Sequence, residues 1–448
     1  MMSHNTRSQR DSIDMIDRRV FERRRQDVMQ LMGDGIAVIA TAPERVRNRD
    51  VHFRFRPDSD FFYLTHFPEP EAVAVLYPGR EQGEFILFCR ERDPEREAWD
   101  GKRAGLQGAV ELYDADDAFP IADIGEILPG LLENRSKVFC NVGSYPDFDM
   151  KLLGWVNEVK AKTRAGVNAP NELVDVTHIL HELRLIKQTD EVKVMKHAAR
   201  ISAAAHRRAM QVCQPGMMEY ELHAELEYAF RKGGSAYPAY PPIVAGGANA
   251  CVLHYIDNND VLADGQLVLI DAGAEIDCYA SDITRTFPIN GKFSPEQRTI
   301  YELVLAAQAA AIEKAQAGCH WNEPHDAAVR ILVQGLIDEG LLRGGVDELI
   351  ENNSYRRFYM HRTGHWLGMD VHDVGDYKVE GEWRELEPGM TFTIEPGLYI
   401  PGDDDIDPRW RDIGVRIEDD VLINRNGNTV LSKDAPKSIG EIEALMQK

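Results

Sequence analysis

Residues 266–287 read QLVLIDAGAEIDCYASDITRTF, and this stretch decides the fold of the second half of the chain. An apolar strand ends at Asp271, and the next strand contains Asp282. If these strands form a hairpin that turns at residues 276–277, the two aspartates lie directly opposite each other, with Cβ atoms about 5 Å apart. Like charges at that distance destabilise a hairpin unless a cation neutralises them. The pattern therefore predicts a cation site on paired strands; the alternative is that a bulge turns one aspartate to solvent.

Two later strands add carboxylates to this pair. TFTIEPGLYI (391–400) carries Glu395 and GVRIEDDVLI (414–423) carries Glu418, each after β-branched residues. Glu387 stands before its strand begins, and we interpret it as a turn residue. Four strand-borne carboxylates and one histidine are enough to hold two divalent ions about 3.5–4 Å apart, as in two-metal hydrolases. Such an oxygen-rich set favours Mn²⁺, also accepts Co²⁺ or Zn²⁺, and excludes a site that depends on thiolates.

Residues 360–373, MHRTGHWLGMDVHD, supply three candidate histidines for that set: His361, His365 and His372. The first two are four residues apart, a spacing that places both imidazoles on one helix face in HExxH zinc sites. No glutamate follows the first histidine, however, and the glycines in the stretch argue against a regular helix. The spacing alone leaves open which histidine binds metal.

The length and charge of the chain exclude several classes of protein. At 448 residues the chain is expected to form two domains. Its formal net charge of −23 repels phosphate backbones and anionic lipid, so we expect no nucleic-acid partner. No apolar run approaches the roughly 20 residues of a membrane span, and the N-terminus does not resemble a signal peptide. The six cysteines form no CxxC pair, which fits reduced thiols in a cytoplasmic protein.

The pattern of strands and helices changes near Leu183. Before it, short β-branched runs such as residues 35–42 and 72–78 alternate with polar helices, which indicates an α/β domain. After it, amphipathic helices and strands come in blocks, which indicates an α+β domain built around one sheet. We therefore predict an N-terminal domain over residues 1–180 and a catalytic domain over residues 181–448.

The motifs DAGAEIDCYASDITRTFP, HWLGMDVHDVG, TIEPGLYI and GVRIEDD resemble, in order and context, those of the pita-bread metallopeptidases. This family includes methionine aminopeptidases, prolidases and aminopeptidase P (Xaa-Pro aminopeptidase). The N-terminal segments RNRDVHFRFRPDSDFFYLTHFPEPEAV and RDPEREAWDGKRAG further resemble bacterial aminopeptidase P. The resemblance implies an α+β chain, in which a C-terminal pita-bread (creatinase/aminopeptidase) fold follows a smaller α/β N-terminal domain.

The resemblance implies five metal ligands, which are Asp271, Asp282, His365, Glu395 and Glu418. Among the clustered histidines it assigns metal binding to His365 alone. Asp282 and Glu418 would bridge two divalent ions, most simply Mn²⁺, and Glu395 would also carry a proton during the reaction.

It also implies residues that contact the substrate or hold the ligands in place. His254, His361 and His372 would line the substrate pocket. Arg416 would anchor a ligand carboxylate through both of its terminal nitrogens, with Tyr240 as its partner.

Two residues of the N-terminal domain complete the set. Asp50 would anchor the free amine of the substrate. Trp99 would come from a neighbouring subunit of a homo-tetramer and help to close the active site, with a dimer as the alternative assembly. Trp99 could instead pack against its own domain, and Asp100 after it departs from the family pattern.

The implied reaction is hydrolysis of the N-terminal Xaa-Pro bond of a peptide by a hydroxide that bridges the two ions. Three alternatives stay open: a prolidase that cleaves only Xaa-Pro dipeptides, a metal-free relative such as creatinase, and a non-catalytic pita-bread binding scaffold. The intact set of five ligand positions argues against the last two.

Overall fold

The structure, a computed structural model, describes residues 16–447. The chain divides into two compact units, Met1–Leu183 and Arg184–Lys448. Among the helices of the described residues, none has the length and apolar character needed to cross a membrane.

In the described part of the N-terminal unit, six strands form one mixed sheet in the order β6-β5-β4-β1-β7-β8. These strands are β1 (Ile36–Ala40), β4 (Val73–Leu76), β5 (Phe85–Cys89), β6 (Asp117–Pro120), β7 (Lys137–Cys140) and β8 (Glu172–Asp175). A separate hairpin consists of β2 (Val46–Asn48) and β3 (Val51–His52). The helices are α1 (Arg18–Met32), α2 (Ser59–Thr65), α3 (Pro94–Asp100), α4 (Gly105–Tyr113), α5 (Ile124–Leu132) and α6 (Pro146–Ala161). The next helix, α7 (Thr177–Leu185), includes the boundary between the two units.

Apolar strands and amphipathic helices build the core of this unit. Val38 of β1 and Phe88 of β5 pack in one buried cluster with Leu128 of α5 and Trp155 of α6. The central strands are apolar along most of their length, as expected for strands that are covered by other elements.

The C-terminal unit contains longer helices and several short sheets. Its helices are α8 (Thr189–Val212), α9 (Glu219–Lys232), α10 (Pro295–Lys314), α11 (Glu323–Asp338), α12 (Val346–Glu351) and α13 (Ile439–Met446). Its strands are β9 (Tyr237–Pro238), β10 (Ile243–Gly246), β11 (Leu267–Asp271), β12 (Ala274–Ile276), β13 (Tyr279–Ala280), β14 (Thr284–Pro288), β15 (Lys378–Val379), β16 (Glu382–Trp383), β17 (Thr391–Ile394), β18 (Gly397–Ile400), β19 (Ile413–Arg416), β20 (Asp419–Asn424) and β21 (Gly427–Val430).

The prediction of one sheet in this unit is wrong. Its described strands form the sheets β10-β11-β14, β13-β12-β9 and β17-β20-β21 and the pairs β18-β19 and β15-β16. The reason is that runs expected to be single strands are broken in the middle. Glu395 separates β17 from β18, Glu418 separates β19 from β20, and Asp282 lies between β13 and β14. At each break the chain passes from one sheet to another.

The hairpin of β11–β12 with β13–β14 has a different register from the predicted one. Asp271 pairs with Thr284, so the predicted pairing of Asp271 with Asp282 is wrong by two residues. The turn lies at Asp277 and Cys278, which have φ angles of 47° and 63°, as a type I′ turn requires. Because side chains alternate between faces with a period of two, this shift leaves both aspartates on the same face of the hairpin.

Candidate metal centre

A cavity of about 620 Å³ opens in the C-terminal unit, within the size range of small-molecule pockets. The residues that line it include the five predicted metal ligands, Asp271, Asp282, His365, Glu395 and Glu418, and the predicted pocket residues Tyr240, His254, His361, His372 and Arg416. The structure thus brings together side chains that lie far apart in the sequence.

Asp282, His365 and Glu418 form the tightest group in this cavity. One ligand atom from each of the three lies within 4.8 Å of the other two. Nε2 of His365 lies 3.4 Å from Oδ2 of Asp282 and 3.8 Å from Oε1 of Glu395. Asp282 and Glu418 are buried, so these oxygens have little access to solvent.

The carboxylates of the group repel one another. Burial raises the pKa of Asp282 and of Glu418 well above the ordinary range, and the charges of Asp271 on the first and of Asp282 on the second raise them further. The pKa of Glu395 is raised to about 8, first by burial and then by Glu418. Carboxylates in this situation retain protons unless a cation takes their place. A buried, oxygen-rich donor set with one imidazole therefore fits divalent cations.

His365 presents one ring nitrogen to the carboxylates. Its Nδ1 lies 2.9 Å from the carbonyl oxygen of Trp366, so Nδ1–H donates there and Nε2 faces the carboxylates. A carbonyl that fixes one nitrogen and leaves the other for a metal is the usual arrangement for a ligand histidine. The assignment of His365 as a ligand stays a prediction that this geometry favours.

His361 has both ring nitrogens engaged by protein groups. Nδ1 donates to the carbonyl oxygen of Arg362 at 2.7 Å, and Nε2 lies 2.8 Å from the hydroxyl of Tyr399. Burial, followed by the charge of Arg416, lowers the pKa of His361 to about 4, so the ring is neutral and Nε2 accepts from the hydroxyl. The rings of His365 and His372 lie 4.2 Å apart in an edge-to-face contact, and both histidines border the same cavity.

Arg416 is buried beside the carboxylates, but its partners differ from the predicted ones. Its Nη2 donates to Oδ2 of Asp271 at 2.6 Å, and its Nη1 donates to the hydroxyl of Tyr399 at 3.1 Å. One terminal nitrogen, not two, therefore contacts the aspartate. The hydroxyl of Tyr240 donates to Oδ1 of Asp271 at 2.6 Å and also contacts Oδ1 of Asp282, so Tyr240 joins the two aspartates instead of pairing with Arg416.

Two residues of this network were missed by sequence reasoning. Tyr399 links Arg416 to His361, and Thr284 donates to Oε2 of Glu418 at 2.6 Å and accepts from Nε of Arg416 at 3.1 Å. The sequence TIEPGLYI does contain a signal for Tyr399, because the tyrosine follows Glu395 by an even number of residues. In a strand this spacing places both side chains on the same face. Thr284 could be found only from the correct register, which places it opposite Asp271.

The sequence analysis also did not predict a buried cluster of ion pairs. This cluster fixes the segment that carries His372. Oδ1 of Asp373 accepts from Nη2 of Arg184 at 2.6 Å, and its Oδ2 accepts from Nζ of Lys187 at 2.8 Å. The backbone N–H of Asp373 donates to the carbonyl oxygen of Trp366 at 2.9 Å, which closes the loop between the two histidines.

A second buried cluster fixes the chain next to Glu418. Asp419 accepts from Arg285 at 2.7 Å and from Lys437 at 2.6 Å. Arg285 also donates to the carbonyl oxygen of Glu418. These contacts restrain the backbone on the C-terminal side of a predicted bridging ligand.

Two glycines are required where backbones meet in the site. A Cβ on Gly364 would lie 1.9 Å from the carbonyl oxygen of Thr393, and a Cβ on Gly273 would lie 1.7 Å from that of Ser281. Any side chain at either position would push apart backbone segments that carry predicted ligands.

Asp50 and Trp99 belong to the N-terminal unit. Asp50 is exposed in the turn between β2 and β3. Trp99 lies on α3 with 87% of its surface exposed, so it does not pack in the core of its own domain, which was the alternative prediction. The predicted roles of both residues stay predictions.

Comparison with known proteins identifies two family matches. Residues 193–425 match the description "Metallopeptidase family M24", and residues 21–139 match "Aminopeptidase P, N-terminal domain". The chain is 43% identical to Xaa-Pro aminopeptidase of Escherichia coli (strain K12) over 433 residues, which cover 96% of this chain and 98% of that protein.

Solved structures match over the same length. The structure of Pseudomonas aeruginosa aminopeptidase PepP is 59% identical, with a TM-score of 0.95 and coverage of 96% of this chain and 98% of that one. A zinc-substituted E. coli aminopeptidase P in complex with product is 43% identical, with a TM-score of 0.93 and the same coverage. These matches confirm the predicted family and the predicted fold, in which an aminopeptidase P N-terminal domain precedes a metallopeptidase domain.

Proposed function

The chain belongs to metallopeptidase family M24, and on this premise we propose that it is an aminopeptidase that hydrolyses the first bond of peptides whose second residue is proline. The observation that carries the proposal is the convergence of the five predicted metal ligands on one cavity, in a chain that aligns with Xaa-Pro aminopeptidases along nearly its whole length. Prolidase activity is the less favoured alternative, because these relatives are Xaa-Pro aminopeptidases. We retain residues 1–180 and 181–448 as the proposed domain limits.

Two divalent ions fit the donor set described above. Asp271, Asp282, His365, Glu395 and Glu418 would hold them, with Asp282 and Glu418 shared. When bound, such ions acidify water and polarise the scissile carbonyl. We propose Mn²⁺ because the set has four carboxylates and a single imidazole, and Co²⁺ and Zn²⁺ also suit these ligands.

The residues around the ligands position the substrate and move a proton. Glu395 is the proposed proton carrier, because its carboxylate lies beside the proposed ions, 3.8 Å from Nε2 of His365, and a carboxyl group can take up and release a proton. His254 would contact the scissile carbonyl, and His372 would contact the proline side of the bond. His361 would border the same carbonyl with its ring, because its two nitrogens are engaged by Arg362 and Tyr399. Arg416 and Tyr240 would keep Asp271 in place through the hydrogen bonds described above.

The assembly and location of the protein are proposed on separate grounds. The largely exposed indole of Trp99 supports a contact with a neighbouring subunit in a homo-tetramer, or in a dimer, because aromatic residues are favoured anchors at protein interfaces. Asp50 is the proposed anchor for the substrate amine. All six cysteines are free thiols, which supports a cytoplasmic location.

An assay of the Mn²⁺-loaded full-length protein tests the function. We expect cleavage of an Xaa-Pro-Xaa tripeptide, slower cleavage of the Xaa-Pro dipeptide and little cleavage of Met-Ala-Xaa. Cleavage of the dipeptide alone would establish a prolidase instead. Light scattering tests the assembly, since a mass near the chain mass of 50.6 kDa would rule out the tetramer.

A further inference from the structure

Two arginines are among the described residues that line the cavity, and they differ in whether protein groups contact their guanidinium. Arg416 is buried, and its guanidinium donates to Asp271, Thr284 and Tyr399. Arg362 is exposed, and within the described part of the chain its guanidinium has neither a hydrogen-bond acceptor nor an ion-pair partner. The cavity therefore has one cation whose charge is not neutralised by the protein.

The guanidinium of Arg362 is nevertheless held in place by an aromatic ring. It lies over Trp383, 5.0 Å from the ring centroid, a distance typical of a cation–π contact. Trp383 ends β16, which pairs with β15 through a tight turn at Glu380 and Gly381, whose φ angles are 53° and 92°. Nζ of Lys378 lies 4.5 Å from the same ring centroid. Two cations thus share one indole.

This cationic site lies beside the proposed reaction centre. Arg362 directly follows His361, whose Nδ1 is 3.8 Å from Glu395, and Lys378 directly follows Tyr377, which lines the cavity. Each residue of an extended peptide advances about 3.5 Å. The C-terminal carboxylate of a tripeptide cut at its first bond therefore lies about 7 Å beyond the reacting carbonyl. Arg362 lines the same cavity as the proposed ligands, so its side chain is placed to meet a peptide end that extends along the cavity.

A carboxylate is the group that this site is suited to bind. Guanidinium presents parallel N–H donors that match the two oxygens of a carboxylate, and a stacked guanidinium loses less freedom on binding than a mobile one. The net charge of −23 disfavours an anionic peptide end over the surface on average, so an uncompensated cation in the cavity offers that end a favourable position.

We propose that Arg362, oriented by Trp383 and assisted by Lys378, binds the free C-terminal carboxylate of short peptide substrates. The inference rests on the proposed function and adds a specificity to it: a tripeptide acid is preferred over the same peptide with an amidated C-terminus. Because an exposed ion pair contributes little energy, the preference is about two- to fivefold in kcat/KM and lies mainly in KM.

The test compares one Xaa-Pro-Xaa sequence as free acid and as amide, with wild type, Arg362→Met and Arg362→Lys. We expect the acid-to-amide ratio to fall to about one in Arg362→Met and to be partly kept in Arg362→Lys. Arg409→Met is the matched control, because Arg409 also lies over an indole, 4.6 Å from the centroid of Trp410, but does not line the cavity. Its ratio should equal that of wild type.

Two results would overturn the inference: equal cleavage of acid and amide by wild type, or a preference that survives in Arg362→Met. Calorimetric binding of both peptides gives the same ratio without turnover. Failure to cleave either peptide therefore counts against the proposed function, whereas an unchanged binding ratio counts against Arg362 alone.

Discussion

Replacing Tyr399 with phenylalanine tests the hydrogen-bonded chain behind the proposed substrate pocket. The hydroxyl accepts from Nη1 of Arg416 at 3.1 Å and donates to Nε2 of His361 at 2.8 Å. The substitution keeps the buried ring and removes both bonds. His361 then loses the partner that holds its ring, and Arg416 keeps its contact with Asp271.

The size of the effect follows from the two bonds. The bond to the neutral His361 is worth about 1 kcal/mol, and the bond from the charged Arg416 about 1.5–3 kcal/mol. The total of about 2.5–4 kcal/mol is divided between the free energy of unfolding and the position of the imidazole. If about 1–2 kcal/mol of it acts on the transition state, kcat falls about five- to thirtyfold. Metal content should not change, because no ligand is altered.

The assay is steady-state cleavage of an Xaa-Pro-Xaa peptide, with metal content and thermal midpoint measured on the same samples. Tyr301→Phe is the control: Tyr301 is also buried, and its hydroxyl donates to the carbonyl oxygen of Lys437 at 2.8 Å, outside the cavity. It should lower the midpoint and leave kcat unchanged. Equal losses of kcat in the two variants, or a wild-type kcat in Tyr399→Phe, would refute the reasoning.

Four further predictions concern the metal centre and the charges behind it. Chelation should abolish turnover without unfolding the chain, since both units have cores of their own, and Mn²⁺ should restore activity; full activity in chelated protein would contradict a metal-dependent site. Asp282→Asn should lower metal content in elemental analysis, because it removes a charge that both ions are proposed to share, and unchanged stoichiometry would exclude a bridging role. His361→Ala should keep the metal and slow turnover by roughly 100-fold, whereas His365→Ala should lose metal; the opposite pair of results would exchange their roles. Burial opposes ionisation of Asp419, but the two cations that contact it outweigh this effect and lower its pKa from 3.8 to about 2. This carboxylate therefore stabilises the fold above about pH 4 and loses that contribution as the pH falls toward 2, so Asp419→Asn should flatten the dependence of the thermal midpoint on pH in that window.

The wrong hairpin register shows where pattern reasoning fails. A period of two predicts which residues share a face but not which residue lies opposite which, because a shift by two residues preserves the alternation. The turn at Asp277 and Cys278 sets the register, since both residues adopt the left-handed conformation. The prediction that Asp271 and Asp282 lie on one face was therefore right despite the wrong register. The wrong register did, however, hide Thr284, which lies opposite Asp271.

The residues that hold the site in place were hidden for another reason. Arg184 and Asp373 are 189 positions apart, and Thr284 and Glu418 are 134 apart. No local periodicity links such pairs, because their contact depends on how complete strands and helices pack. Single arginines, aspartates and threonines at these positions look like ordinary surface residues until burial is known.

The sequence by itself determined the kind of chemistry: four carboxylates on strand-like runs, a histidine cluster and an oxygen-rich set suited to divalent ions, with motifs that identified the family. Local patterns carry this information because donor type and strand alternation are properties of short segments. Only the tertiary structure decided that the three strand breaks at Asp282, Glu395 and Glu418 converge. It also decided that both ring nitrogens of His361 form hydrogen bonds within the protein, whereas one ring nitrogen of His365 faces the carboxylates. Those outcomes depend on contacts between distant segments in a buried space, where each polar atom must find a partner.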